Sequence, residues 1–215
     1  MENILRLYRL DYDERYPVLC FDERPCFLIG DVVKGLELKP GQVYKQHYEY
    51  EKNGSCCLLL VIEPLTGKRI AIVYDQRRKI EYAEFMQIVA AHFPKAIKIR
   101  LIQDNLNTHN YSSFYEHFEA QTAYDLAQRF EFHYTPKKAS WLNAAEIEFS
   151  AIARTCLNKR IPTKEQLEKQ VLDCVKERQE KQISISWQFS ITDARKKMNR
   201  HYAKVNPENQ IYKLI

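Results

Sequence analysis

Ser55-Cys-Cys-Leu-Leu-Leu-Val-Ile-Glu63, then Pro64-Leu-Thr-Gly67, then Arg69-Ile-Ala-Ile-Val-Tyr74, is the stretch that decides the fold. The outer pieces are nearly continuous apolar runs of strand length, and the Pro/Gly segment between them supplies turn chemistry. Two such runs joined by a short glycine-containing connection make a β-hairpin. Because the apolar residues run together rather than alternate, the hairpin belongs near the centre of a sheet covered on both faces.

Upstream, Pro17-Val-Leu-Cys-Phe-Asp22 reads as a short buried strand ending in an acid. Residues 26–50, punctuated by Gly30, Gly35 and Gly41, read as a loop or loose hairpin. Downstream, residues 79–92 have helical spacing, with Ile80, Phe85, Ile88, Val89 and His92 on or near one face and Phe93-Pro94 as the stop. Lys98-Ile-Arg-Leu-Ile-Gln-Asp104 is a further strand with an acid at its end. Residues 111–129 are helical in character, and Phe130-Glu-Phe-His-Tyr-Thr135 is a strand closed by Pro136. A helix follows from Ser140 to Asn158, and another after Thr163 and Gln166, which stand at capping-box spacing, with Leu167, Val171, Cys174 and Val175 as its apolar stripe. Thr192 to Tyr202 reads as a last short helix. Three early strands followed by alternating helices and strands give an α/β fold, a mixed sheet flanked by helices. The ribonuclease H-like fold has this order. Residues 1–160 are expected to form the core, and 161–215 a C-terminal helical extension packed on it.

The 215 residues are 45% hydrophobic and 12% aromatic, enough for a sizeable core, and 28% charged, which argues against disorder. The net charge of +5 permits a polyanionic partner without requiring one. The six cysteines form no C-x-x-C pair and mostly lie in apolar runs, so they read as buried free thiols. The charged N-terminus lacks a signal-peptide core, and no apolar run approaches membrane-spanning length, so a soluble, cytoplasmic protein without a membrane partner is expected.

The chemistry is expected where the acids fall. Asp22 and Asp104 each end an apolar strand, where a carboxylate must be solvated, paired or bound to a metal. If the two strands are neighbours, the carboxylates converge and repel unless a cation lies between them. Either residue alone also reads as a cap or turn residue. Beyond Asp104, the segment Asn105-Leu-Asn107-Thr-His109 adds neutral donors and acceptors suited to a phosphate or metal site. In Ser140-Trp-Leu-Asn-Ala-Ala-Glu146-Ile-Glu148, helical spacing places Asn143 and Glu146 on one face, framed by Leu142 and Ile147, and turns Glu148 elsewhere.

These linked motifs, from Cys-Phe-Asp22-Glu-Arg-Pro through Gln-Asp104-Asn-Leu-Asn-Thr-His109 and Tyr-Thr-Pro136 to Ser140-Trp-Leu-Asn-Ala-Ala-Glu146, resemble the DDE catalytic domain of bacterial insertion-sequence transposases. More narrowly they resemble the six-thirty group, relatives of the Tc/mariner transposons, over about residues 15–203. The resemblance implies a ribonuclease H-like fold in which Asp22, Asp104 and Glu146 hold two Mg²⁺ or Mn²⁺ ions for DNA strand cleavage and strand transfer. It places Asn105, His109 and Asn143 in supporting or phosphate-contacting roles. It also implies transposon-end and target DNA as partners, a homo-oligomer (a dimer being the simplest), and a bacterial, nucleoid-associated setting. The alternatives left open are a ribonuclease H-like nuclease that does not transpose, and an inactive domesticated or truncated domain that binds DNA or a partner.

Two departures stand out. Family members often carry Pro shortly before the final acid, where this chain has Ala144 and Ala145, which reads as a subgroup variant. The family's helix-turn-helix region has no room in the roughly 20 residues ahead of Asp22, so the expectation is either that a separate helix-turn-helix polypeptide supplies it or that the chain is a trimmed or remnant product. Arg154, Lys159, Arg160, Arg195, Lys196, Lys197 and Arg200 are candidate phosphate contacts, equally readable as solvated helix faces. Trp141 and Trp187 read as core or interface anchors.

Overall fold

A computed structural model describes residues 1–33, 41, 47–206 and 208. Among them five strands form one sheet: β1 (Val18–Asp31), β2 (Tyr50–Ile62), β3 (Arg69–Tyr74), β4 (Ile99–Gln103) and β5 (Phe130–Tyr134). Their spatial order is β3-β2-β1-β4-β5. The β1–β2 and β2–β3 pairs are antiparallel, and β1–β4 and β4–β5 are parallel. The hairpin read from residues 55–74 is present, with β2 inside the sheet and β3 at its edge.

Eight α-helices surround the sheet among the described residues: α1 (Glu2–Leu7), α2 (Lys79–His92), α3 (Ser112–His117), α4 (Ala120–Arg129), α5 (Ala145–Thr155), α6 (Lys164–Glu180), α7 (Ile191–Lys197) and α8 (Asn199–Val205). Strand alternation sends successive side chains to opposite faces. Leu19 and Phe21 of β1 and Leu101 of β4 join a core with Phe85, Met86 and Val89 of α2. Cys20 of β1 and Ile102 of β4 join the other core, with Leu5 of α1, Phe149 of α5 and Val171 of α6. The apolar stripe of α6 lies where the sequence places it: Leu167, Val171, Cys174 and Val175 are all buried. Burying each of the Leu and Val side chains contributes about 1.5–3 kcal/mol.

The structure revises several boundaries. β1 does not stop at Asp22 but continues to Asp31, taking in part of the segment read as a loop. β4 pairs with β1 only from Val18 to Cys20, so beyond that point β2 is the one strand β1 pairs with among the described residues. Pro25 can sit there because an edge position tolerates a missing N–H. Residues 34–40 and 42–46 of that segment lie outside the described residues. The helical region 111–129 divides into α3 and α4, and the last helix divides at Met198 into α7 and α8. On α2 the buried face is carried by Tyr82, Ala83, Phe85, Met86, Val89 and Ala90, whereas Ile80 and His92 are exposed. Thr163 makes half of a capping box, its side chain accepting from Gln166 N–H. Cys156 and Cys174 are joined in a disulfide between the end of α5 and α6, contrary to the free-thiol reading; Cys20, Cys26, Cys56 and Cys57 are buried and free.

Candidate active site

The parallel register brings the chain segments of the two aspartates side by side. Cys20 pairs with Ile102, and Asp22 and Asp104 each lie two residues further along their chains. By strand parity Asp22 falls on the face of Cys20, the face α5 covers, and Asp104 follows directly on the end of β4. Glu146 stands in the first turn of α5, exposed, where the helix dipole favours a negative charge.

Asn143 ties these elements together, though not from a helix face. Ser140–Leu142 is a single 3-10 turn, and Asn143 is extended (φ −90°, ψ 113°) just ahead of α5. Its amide donates to the Phe21 carbonyl at 2.7 Å and to Asp22 Oδ2 at 3.3 Å, while its Oδ1 accepts from Ala145 N–H at 3.2 Å. One buried side chain thus replaces a missing strand neighbour of β1 and fixes the start of α5. Leu142 is buried, but Ile147 is exposed and does not frame the acid. The hydroxyl of Tyr8 holds the same bend, donating to Leu142 O at 2.7 Å and accepting from Ala144 N–H at 3.0 Å.

Burial pushes the Asp22 carboxyl up to about 7, with the negative charges of Glu146 and Asp104 adding to the rise against a hydrogen bond from Glu23 N–H. Its two hydrogen-bond partners here, Glu23 N–H and the Asn143 amide, are neutral. Carboxylates offer the hard oxygen ligands that suit a divalent cation. Among the described residues, the three acids do not close into a metal-holding group of His, Cys, Asp and Glu side chains.

Asp104 is held from beneath. His109 Nδ1 lies 2.5 Å from Asp104 Oδ1, and its Nε2 lies 3.3 Å from Glu23 Oε2. Burial opposes a charged ring, but the bonds to Asp104 and Glu23 outweigh it and bring His109 up to about 9. The hydrogen bond from His109 holds Asp104 below the usual aspartate range. The loop between them is pinned by its His109 carbonyl, which accepts from Gln103 Nε2 at 3.0 Å and Tyr134 Oη at 2.9 Å. Tyr82 Oη in turn donates to Gln103 Oε1 at 2.9 Å.

Asn105 lies beside these groups in a cleft of about 650 Å³ whose lining also includes Asp104, Thr135, Lys137, Lys138 and Ser140. Glu23 and the lysine pair are the residues the sequence reading missed. Glu23 is 9% exposed and paired to Arg77 as well as His109. Glu148, as read, turns away from the acids, into the protein interior. Of the basic candidates, Arg160 is paired to Asp31 and Arg195 to Glu2. Trp187 stacks on Tyr8, with ring centroids 4.5 Å apart, and half-exposed Trp141 meets Phe189 edge-on.

The strand order and flanking helices define a ribonuclease H-like fold. Residues 17–168 match the DDE superfamily endonuclease family, and the chain belongs to it. Its fold is similar to that of the Mos1 transposase paired-end complex with left transposon end (11% identity, TM-score 0.50). It is likewise similar to the pre-cleavage Mos1 transpososome (14% identity, TM-score 0.51). Both alignments cover 84% of this chain and 58% of the other, so this chain spans less than two thirds of those proteins. No curated protein matches the chain. Among the described residues, no helix is long and apolar enough to cross a membrane.

Proposed function

We propose that the chain is the catalytic domain of a transposase that cleaves DNA strands and transfers them, with Asp22, Asp104 and Glu146 as the acids that hold two Mg²⁺ or Mn²⁺ ions. The observation that carries this is that Asp22 and Asp104 each lie two residues past the last β1–β4 pair, with the charges of Glu146 and Asp104 both raising the Asp22 carboxyl. When bound, the ions supply activation of a water or DNA 3′-hydroxyl and stabilisation of the leaving oxygen.

The chain's own residues have separate tasks. His109 occupies Oδ1 of Asp104 and so fixes that carboxylate's orientation. Asn143 holds Asp22 through Oδ2 and sets the start of α5. Lys137 and Lys138, lining the cleft beside Asp104 and Asn105, offer positive charge to a DNA phosphate. Membership in the six-thirty group of bacterial insertion sequences, action as a dimer on two transposon ends and a cytoplasmic, nucleoid-associated setting belong to the same reading, which rests on the resemblance of the linked motifs around the three acids.

The test is cleavage of a labelled DNA duplex with Mn²⁺, with Mg²⁺ and with EDTA. Cutting that needs the metal and disappears in Asp104→Asn supports the reading. Equal cutting by that variant removes it. Joined products from a pre-cut end separate a transposase from a simple nuclease.

A further inference from the structure

Glu148 is 0% exposed, on a helix whose other first-turn acid, Glu146, is exposed. Two arginines grip it, each through two nitrogens. Arg69 of β3 donates from Nε at 2.7 Å and from Nη2 at 3.0 Å. Arg178 of α6 donates from Nε at 2.7 Å and from Nη2 at 2.9 Å. Arg69 is itself fixed, since Nη2 donates to Ile183 O at 2.6 Å and Nη1 to Gly67 O. Gly67 is needed for this closeness: its φ is +74°, and a Cβ there would lie 2.6 Å from Ile183 O.

An ionic cluster at this depth is a poor way to gain stability, because desolvation offsets most of the attraction and apolar side chains of similar size would pack as well. It is a good way to select one arrangement. Residues two apart on an α-helix point about 200° apart. Locking Glu148 onto the buried side therefore dictates where Glu146 points. Any rotation of α5 that moved Glu146 would break four charge-assisted hydrogen bonds.

We propose that Glu148, held by Arg69 and Arg178, is a positioning residue that sets the rotation of α5 and so aims Glu146 at Asp22 and Asp104. This rests on the reading of Glu146 as a metal-holding acid. It goes further in assigning the aim of that acid to an ion cluster anchored on β3 and α6.

The test compares wild type, Arg178→Met and Arg178→Lys. Arg178 is the more exposed arginine, so its loss leaves Glu148 still paired to Arg69. Three readouts are taken: thermal unfolding, amide hydrogen exchange, and the Mn²⁺ midpoint from titration of the protein without DNA. The expected result for Arg178→Met is a folded protein in which the α5 amides exchange about tenfold faster while those of β2 keep their protection. Its Mn²⁺ midpoint should rise about tenfold. In cleavage, kcat should fall with KM for DNA unchanged, and Arg178→Lys should recover most of each loss. Exchange that rises equally over the whole sheet with an unchanged Mn²⁺ midpoint would show a merely stabilising cluster and overturn the proposal. So would α5 protection that does not change. If wild type binds no Mn²⁺ and cuts no DNA, the catalytic reading fails, and the exchange of α5 still decides whether the cluster holds the helix.

Discussion

Asp104 and His109 are joined through Oδ1 and Nδ1 at 2.5 Å, and the far nitrogen of the same ring reaches Glu23 on β1. The imidazole therefore spans the gap between β1 and the loop after β4, bracing two segments that each carry one of the proposed catalytic aspartates. Several expectations rest on this brace and on the acids it supports.

Asp104→Asn should lower metal-dependent cleavage about a hundredfold or more, since it removes one carboxylate charge from the set. The fold should survive, because the amide oxygen can keep the His109 contact and the volume is unchanged. Cleavage rate and circular dichroism on the same preparation check both halves; a fully active variant places the chemistry elsewhere.

Asp22 gives the metal-free protein a pH signature. In an unfolded chain its carboxyl ionises near 3.8, and in the fold near 7. Between those values the folded state binds the extra proton, so this group's contribution makes stability fall as pH rises through the window, with the penalty complete above about 7. Asp22→Asn should stabilise the metal-free protein by up to about 4 kcal/mol above that point and by nothing below about 3.8. Urea unfolding across the range is the measurement. Adding Mn²⁺ near neutral pH should expel protons from wild type and fewer from the variant, as calorimetry in buffers of different ionisation enthalpy would show.

His109 acts on the same curve through its folded-state pKa, raised from 6.5 to about 9. Its stabilising contribution is fully present below about 6.5 and is lost as pH climbs through about 9. His109→Gln should flatten stability over that interval. NMR titration of the ring in wild type gives an independent reading, and a ring that titrates near 6.5 would contradict the bridge between Asp104 and Glu23.

Tyr8→Phe removes a hydroxyl that serves Leu142 O and Ala144 N–H in a part-buried bend. The cost should be about 1–3 kcal/mol in unfolding free energy. Because that bend leads into α5, cleavage should weaken too; a variant as stable as wild type would mean that water replaces the hydroxyl.

Much of this was legible because burial and strand length leave plain marks. The runs at 55–63, 69–74 and 98–103 gave three strands, and an acid beyond the apolar residues of β4 is conspicuous for its cost. What stayed hidden depended on partners distant in sequence. Arg24-Pro25 looks like a strand end until it is known that β4 leaves β1 after Cys20. Asn143 fits a helix by spacing, yet its bond to the Phe21 carbonyl holds it extended. Glu23 looks like a surface acid next to Asp22; only its pairing with His109 reveals it. The Cys156–Cys174 link joins two helices whose packing no local pattern announces.

The three acids come from β1, from the end of β4 and from α5, in that chain order, with the last joined to the first through Asn143. A ribosome that stalls, or a protease that clips, anywhere before Ala145 leaves a fragment with at most two of the three acids and no helix to deliver the third. Under the proposed chemistry such a fragment cannot nick the chromosome of the cell making it. If the three acids act as proposed, the order of the elements is a safety interlock: cutting capacity would arrive only with the later segments, after the sheet that must hold it has been synthesised.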